Sequence, residues 1–145
     1  MAARAGTPVG LILAVVLGTA VVGVALGTLP ATPSVAAPTL TVDGHRVVLT
    51  HRAGEAVDVR HLDLTVRVDG APLAHQPPVP FFSARGFRPG PSGPFNAAAD
   101  PRWTPGEQAS FRVASTNHPT LRAGARVTVT LRYRGRRLAT LSATA

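Results

Sequence analysis

The sequence contains no cysteine and no lysine, and both absences restrict what the protein can be. Without cysteine, the chain can form neither a disulfide framework nor a thiolate metal site, and it has no thiol nucleophile. The chain has 15 arginines and 7 acidic residues, which gives a formal net charge of +8. A chain this basic is attracted to acidic surfaces such as anionic lipids, acidic glycans, acidic proteins or nucleic acid. The alternative explanation of the arginine content is that arginine has simply replaced lysine at surface positions. The scattered distribution of the arginines along the chain is compatible with this explanation.

Recognisable catalytic and metal-binding patterns are also lacking. No serine lies in a G-x-S-x-G nucleophile elbow, and no glycine-rich phosphate loop ends in lysine. Three histidines could lie on neighbouring strands (His45, His51 and His61), but neither their spacing nor the few carboxylates match a metal-ligand set. We therefore predict no enzymatic activity, no metal and no cofactor, and we expect His51 to form a hydrogen bond within its own turn.

The longest apolar stretch runs from Val9 to Leu29 and carries no charge. As a helix it would be roughly 30 Å long, which matches the hydrocarbon core of a bilayer. Thr7 and Pro8 favour a helix start, so we predict one transmembrane helix over residues 7–29. Arg4 precedes the run and no charge follows it until Asp43, which predicts a cytoplasmic N-terminus and an extracellular C-terminal domain.

Small residues recur every four positions along this predicted helix. Such stripes let the backbones of neighbouring helices approach closely in an apolar medium, so the helix could pack against more than one neighbour. Glycine is also common in membrane helices in general, which is the plainer explanation. The predicted packing positions are Gly10, Ala14 and Gly18, in line with Gly6, and a second stripe of Thr19, Gly23 and Gly27.

Three kinds of processing are compatible with this N-terminal segment. A permanent anchor would need no cleavage. A secretory signal could be cut after Ala36, since Ser34-Val35-Ala36 ends in a small-residue pattern, although the apolar run is long for a signal. The third alternative is a cut between the basic tag and the apolar helix.

The third alternative corresponds to a known family. Residues 4–10, Arg-Ala-Gly-Thr-Pro-Val-Gly, followed directly by the apolar run, resemble the start of archaeal, particularly haloarchaeal, type IV pilins. Residues 49–57 are similar to that family's T-H-x-G-G-x-x-I/V segment, with Ala53 in place of the first glycine, and residues 76–115 also resemble haloarchaeal pilin-like proteins. Members of that group are usually strongly acidic, whereas this chain is basic.

The resemblance implies an N-terminal class III signal sequence. A prepilin peptidase would remove a leader of residues 1–5 or 1–6, cutting between Ala5 and Gly6 or one residue later. The retained helix would then leave the membrane and pack with other pilin subunits, of the same or a different kind, in the core of a cell-surface filament.

After a proline-rich linker predicted over residues 30–38, the sequence becomes typical of strands and turns. Asp43-Gly44 predicts a type I′ hairpin, and Asp69-Gly70 a further turn. Apolar residues alternate over residues 62–68 and 127–133, and a change of phase near Arg60-His61 predicts a bulge or corner. A later strand is expected to begin at Phe111 and Val113. About seven short strands predict an all-β domain over residues 39–145, a small immunoglobulin-like β-sandwich tethered to the single transmembrane helix.

The stretch from residue 76 to 106 differs from the rest of this domain, since it is rich in proline and in aromatic residues and shows little strand pattern. Irregular stretches of this length are usually functional or disordered, and aromatic residues argue against disorder. Either the rings fill one end of a small core, or they form an interaction surface. The rings are Phe81, Phe82, Phe87, Phe95 and Trp103.

The densest basic patch surrounds the predicted turn at Gly135. It consists of Arg132, Arg134, Arg136 and Arg137, with Tyr133 among them. A patch of this kind could contact the phosphates of nucleic acid, but we favour a charged sheet edge that discourages aggregation.

The sequence therefore predicts a type IV pilin-like structural subunit, involved in adhesion or another surface function, with acidic cell-surface material as a candidate partner. The alternatives are a surface-binding module anchored by an uncleaved helix and a secreted protein released after Ala36.

Overall fold

The computed structural model describes residues 36–145, which form strands, turns and two short 3-10 helices. The predicted leader, the apolar helix over residues 7–29 and most of the linker lie outside the described residues. Within the described range, no helix has the length and hydropathy that crossing a bilayer requires. The strands are β1 (Ala36–Asp43), β2 (Arg46–Gly54), β3 (Val57–Asp58), β4 (Leu62–Val68), β5 (Ala71–Pro72), β6 (Arg102–Trp103), β7 (Gln108–Arg112), β8 (Arg126–Tyr133) and β9 (Arg136–Thr144).

All paired strands are antiparallel, and they form three sheets. The largest has the strand order β9-β8-β4-β5, the second has the order β1-β2-β7, and β3 pairs with β6 in a two-stranded ribbon. Strands β1 and β9, each at the edge of its sheet, lie close to each other. The domain is therefore all-β, as predicted, and its two larger sheets are arranged in a way that is consistent with a β-sandwich.

The alternating sequence patterns place one face of each large sheet in a shared core. In β4, the apolar residues at positions 62, 64, 66 and 68 are buried, and the intervening residues are more exposed. In β8, Val127, Val129 and Leu131 are buried, and Val47, Leu49 and Phe111 contribute from the other sheet. These residues belong to one hydrophobic cluster, which accounts for the strong period-two pattern in the sequence.

Turn chemistry fixes the register of the hairpins. Asp69 and Gly70 both have positive φ (50° and 86°), and so do Arg134 and Gly135 (51° and 83°), as type I′ turns require. In the β1–β2 hairpin, Asp43 pairs with Arg46, so the two turn residues are positions 44 and 45, and only Gly44 has positive φ. The predicted turn at Asp43-Gly44 is therefore wrong by one residue. Its predicted type is also wrong, because a turn with positive φ only at its first central residue is of type II′ and not type I′.

The predicted change of phase near Arg60-His61 is a 3-10 helix over Val59–His61. The Asp58 side chain caps this helix by accepting a hydrogen bond from the backbone amide of Arg60. The chain thereby passes from β3, in the ribbon, into β4, in the four-stranded sheet.

Two strand boundaries differ from the predictions. Strand β1 begins at Ala36, so residues 36–38, which the sequence assigns to the linker, belong to the domain. Pro38 is compatible with a strand here because β1 lies at a sheet edge, where one side of the backbone needs no partner. Strand β7 begins at Gln108 and not at Phe111, and Val113 forms only a single bridge, with Phe87.

Candidate functional site

The aromatic stretch is mostly core. Trp103 and Phe95 are fully buried, and Phe81 and Phe87 are 5% and 6% exposed, respectively. These four rings fill core volume and present little surface to a partner. Phe82, at 61% exposure, is the only large hydrophobic residue of residues 36–145 that is exposed. Of the five rings proposed as a surface, Phe82 alone is available for contact.

The buried rings form a continuous chain of contacts through the domain. It runs from His51 to Trp103, then to Phe95, Phe111, Phe87 and finally Phe81, with successive ring centroids 5.4–6.2 Å apart. All of these pairs are tilted or edge-to-face, the geometry that aromatic quadrupoles favour. The irregular stretch is therefore tied to β2 and β7 by aromatic packing.

His51 is a structural residue. Its side chain is fully buried, and its Nε2 lies 2.7 Å from the carbonyl oxygen of Glu55, to which it must donate, because a carbonyl oxygen can only accept. Its backbone amide donates to Glu107, and its carbonyl oxygen accepts from Gly106. The predicted hydrogen bond within the His51 turn is confirmed, and the turn also fixes the segment after Trp103.

Two amide side chains, which the sequence analysis missed, hold the irregular stretch in place. Gln76 accepts a hydrogen bond from the backbone amide of Val66 at 2.7 Å and donates to its carbonyl oxygen at 3.1 Å, as an adjacent strand would. Asn117 is fully buried and bonds both backbone groups of His75 and the carbonyl oxygen of Gly86. Neither residue lies in a recognisable motif, so no sequence signal indicates this role.

The arginines of the predicted basic patch lie on the β8–β9 hairpin. The guanidinium carbon of Arg134 lies 5.3 Å from the centroid of the Tyr133 ring, and Arg132 donates to the carbonyl oxygen of Gly135 at 3.1 Å. Arg132 and Arg137 are cross-strand neighbours. The four arginines are exposed and flank one end of edge strand β9, which is the placement expected of residues that protect a sheet edge.

Few of the arginines in residues 36–145 are neutralised. Ion pairs within this range join Arg60 to Asp58 at 2.7 Å and Arg122 to Asp69 at 3.9 Å. Arg60 contacts both carboxylate oxygens of Asp58, and these charge-assisted hydrogen bonds hold the pKa of that carboxyl well below its usual range. The basic charge of the domain is therefore mostly open to external anions.

A second cluster of arginines, which the sequence analysis did not identify, surrounds a cavity of about 210 Å³ on the outer face of the β1-β2-β7 sheet. Arg46 lies at the start of β2, and Arg112 at the end of β7. Arg88 belongs to the segment that crosses beside β7, and Ser92 and Ser110 complete the polar lining. These residues are far apart in the sequence, so no local motif brings them together.

The remaining predicted positions carry no assembled site. Within residues 36–145, no three histidine or acidic side chains converge as a metal site would require. The predicted cleavage residues Ala5 and Gly6, and the predicted packing positions at residues 10, 14, 18, 19, 23 and 27, lie outside the described residues.

Comparison of the chain with protein-family models, with curated proteins and with solved structures finds no match.

Proposed function

We propose that this chain is a type IV pilin-like structural subunit, made as a membrane-held precursor and assembled into a cell-surface filament through its apolar N-terminal helix. The observation that carries the proposal is the order of its parts: a basic tag, an uncharged run of residues 9–29, and a separate β-domain that begins only a few residues later, at Ala36. Other pilin subunits would be its partners in the filament, and a prepilin peptidase its partner during maturation.

The β-domain supports this proposal because one hydrophobic cluster joins its strands within residues 36–145. The buried aromatic rings belong to that cluster, and the ring of His51, whose turn carries part of the resemblance to pilins, packs edge-to-face against Trp103. In the filament, the helix would supply the contacts between subunits, and the domain would form the outer surface.

We further propose that the domain is an immunoglobulin-like sandwich. The strand order β1-β2-β7 facing β9-β8-β4-β5 corresponds to A-B-E facing G-F-C-C′ in that architecture. The backbone of Ser92 pairs with Ser110 along the outer edge of β7, where strand D would lie. The irregular aromatic stretch would thus replace most of strand D.

The decisive measurement is the N-terminus of the mature protein, determined by mass spectrometry after expression in a host that processes pilins. We expect the mature chain to begin at Gly6 or Thr7. A chain beginning at Ala37 would instead support a secreted protein, and an intact N-terminus at Met1 or Ala2 would support an anchored module.

A pair of variants sharpens this test. Gly6 flanks both candidate bonds, so Gly6→Leu is expected to reduce processing at least about tenfold, since the resemblance implies small residues around the cut. Ala2→Leu makes a comparable change away from the cut and should be processed normally. Normal processing of Gly6→Leu would contradict the proposed cleavage position.

A further inference from the structure

We propose that the cavity bounded by Arg46, Arg88 and Arg112 is a binding site for a tetrahedral oxyanion of the sulfate or phosphate type. This inference rests on the β-domain alone and holds whether or not the chain assembles into a filament.

The arrangement of charge is the first argument. Arg46 and Arg112 are direct cross-strand partners on β2 and β7, and like charges placed opposite each other destabilise a sheet. Arg88 adds a third positive charge to the same cavity. No carboxylate forms an ion pair with any of these three arginines in the part of the chain that the structure describes. A bound anion would convert this repulsion into attraction.

The available hydrogen-bond donors are the second argument. Among the described residues, the guanidinium groups of Arg88 and Arg112 donate to no protein acceptor, while Arg46 uses only its Nε, which donates to the Ser110 hydroxyl at 3.3 Å. The Ser110 hydroxyl is in turn hydrogen-bonded to that of Ser92. The terminal nitrogens of all three arginines thus make no hydrogen bond within the described residues, and the three residues line the same cavity as this pair of serines.

The walls of the cavity are held by backbone hydrogen bonds. The amide of Arg88 donates to the carbonyl oxygen of Arg112 at 2.9 Å, and the amides of Ser92 and Ser110 donate to each other's carbonyl oxygens at 2.9 and 3.2 Å. Between these points, the amide of Gly90 donates to Phe82 at 2.8 Å. The segment that carries Arg88 is therefore fixed against β7, so little ordering entropy would be lost when a ligand binds.

The number of arginines favours a tetrahedral group over a carboxylate. A single guanidinium already satisfies both oxygens of a carboxylate in the bidentate geometry. Three arginines that line one cavity match a ligand with several oxygens and up to two negative charges. The cavity volume of about 210 Å³ is below the roughly 300–1,000 Å³ of sites for drug-sized ligands, so it would accept one such group or one small substituted sugar.

The anion could be free in solution or be carried as an ester on a sugar, and the two sources can be separated experimentally. The full-length chain in neutral detergent is titrated with sodium sulfate, sodium phosphate and sodium acetate at constant ionic strength, and amide and arginine Nε–H signals are followed by NMR. A sulfated monosaccharide and the same sugar without sulfate form a second pair of titrations. Binding of the sulfated sugar would identify an ester as an accepted source, whereas binding of inorganic sulfate alone would identify the free ion, and either result supports the site.

We expect saturable shifts at Gly90, Ser92 and Ser110 with sulfate and phosphate. Arg88→Gln and Arg112→Gln should each weaken binding at least about tenfold, because each removes a charged donor. Arg67→Gln removes the same charge from β4 in the other sheet and should change the affinity less than about twofold. Both cavity arginines are exposed, so the variants should fold, and an unchanged thermal midpoint would verify this.

Three results would overturn the proposal. These are shifts that rise linearly without saturation across all arginines, acetate binding as tightly as sulfate, and an equal loss of affinity in Arg67→Gln and in the cavity variants.

Discussion

Trp103 links the aromatic stretch to the His51 turn through its ring and its indole N–H. Its ring is fully buried between His51 and Phe95, and its indole Nε1 donates to the carbonyl oxygen of Glu107 at 2.9 Å. It therefore combines a large buried ring with a satisfied polar group, and its loss would leave a large cavity in the core.

Trp103→Ala is expected to destabilise the domain by about 3 kcal/mol, as for other large buried rings. The measurement is urea unfolding of the full-length chain in detergent, followed by far-UV circular dichroism. Phe82→Ala, which truncates an exposed ring in the same stretch, should change stability by less than about 0.5 kcal/mol. If Trp103→Ala lowered the unfolding free energy as little as Phe82→Ala, the contacts among the buried aromatic rings would not stabilise the core as we infer.

Asp58 makes the folding stability of the domain depend on pH in the acidic range. The hydrogen bonds from Arg60 lower the pKa of Asp58 in the folded state, so the pair stabilises the fold above the unfolded pKa of about 4. This stabilisation is lost as the pH falls below that value, because the unfolded chain then binds the proton more readily.

Arg60→Gln should therefore lower the unfolding free energy at pH 6, and the difference from the wild type should shrink as the pH approaches 2.5. Urea unfolding at both pH values measures this effect. Arg67→Gln serves as the control, since Arg67 forms no ion pair within residues 36–145 and its removal should give no such pH-dependent difference. A difference for Arg60→Gln that stayed constant with pH would argue against the Asp58 pair as its cause.

The segment over residues 88–96 depends, as an element, on backbone conformations that only glycine adopts easily. Gly90 and Gly93 have φ of 73° and 66°, in the left-handed region. They differ in their surroundings, because a Cβ at Gly90 would meet nothing within 4 Å, whereas a Cβ at Gly93 would overlap the carbonyl oxygen of Gln108. Gly93 therefore permits the close approach of this segment to β7.

The two glycines allow a matched comparison of alanine variants. Gly90→Ala should cost about 1 kcal/mol of unfolding free energy, which is the strain of positive φ alone. Gly93→Ala carries the same strain plus a clash with backbone and should cost at least about 3 kcal/mol, and it should also disturb the backbone pairing of Ser92 with Ser110. Thermal and urea unfolding give the two values, and similar costs for both variants would show that the segment can move away from β7.

At the scale of the whole molecule, the basic charge is distributed over several faces. Arginines surround the outer cavity at β2 and β7 and flank the β8–β9 turn, and Arg67 is exposed on β4. Together with the chain's net charge of +8, this distribution predicts a general attraction to polyanions and no single surface that binds nucleic acid.

Binding of the full-length chain to a short DNA duplex should therefore be weak and should disappear at about 150 mM salt, measured by fluorescence anisotropy. Replacing Arg134, Arg136 and Arg137 by serine should weaken low-salt binding no more than replacing Arg67, Arg122 and Arg126. Binding that persisted at this salt concentration and depended on the hairpin arginines alone would instead assign nucleic acid to the β8–β9 turn.

Local pattern and long-range packing differ in how far the sequence predicts them. The all-β class, the hairpin turns at Asp69-Gly70 and Arg134-Gly135 and the corner at Val59–His61 follow from alternation and turn chemistry, which act over a few residues. The β1–β2 turn was misplaced by one residue because Asp-Gly and Gly-His are both acceptable turn pairs, and only cross-strand pairing distinguishes them.

The sequence by itself determined that the chain is basic, free of thiols, and divided into an uncharged apolar run and a strand-rich domain, because these properties depend on composition and short-range periodicity. Only the tertiary structure decided which aromatic rings are buried and that Gln76 and Asn117 hold the irregular stretch by hydrogen bonds to backbone groups. It also decided that Arg46, Arg88 and Arg112 line one cavity. Those contacts join residues up to 66 positions apart, and no local preference encodes which distant strand lies beside which. The pairing of β2 with β7 brings Arg46 beside Arg112, and the backbone hydrogen bond from Arg88 to Arg112 adds the third arginine of the candidate anion site.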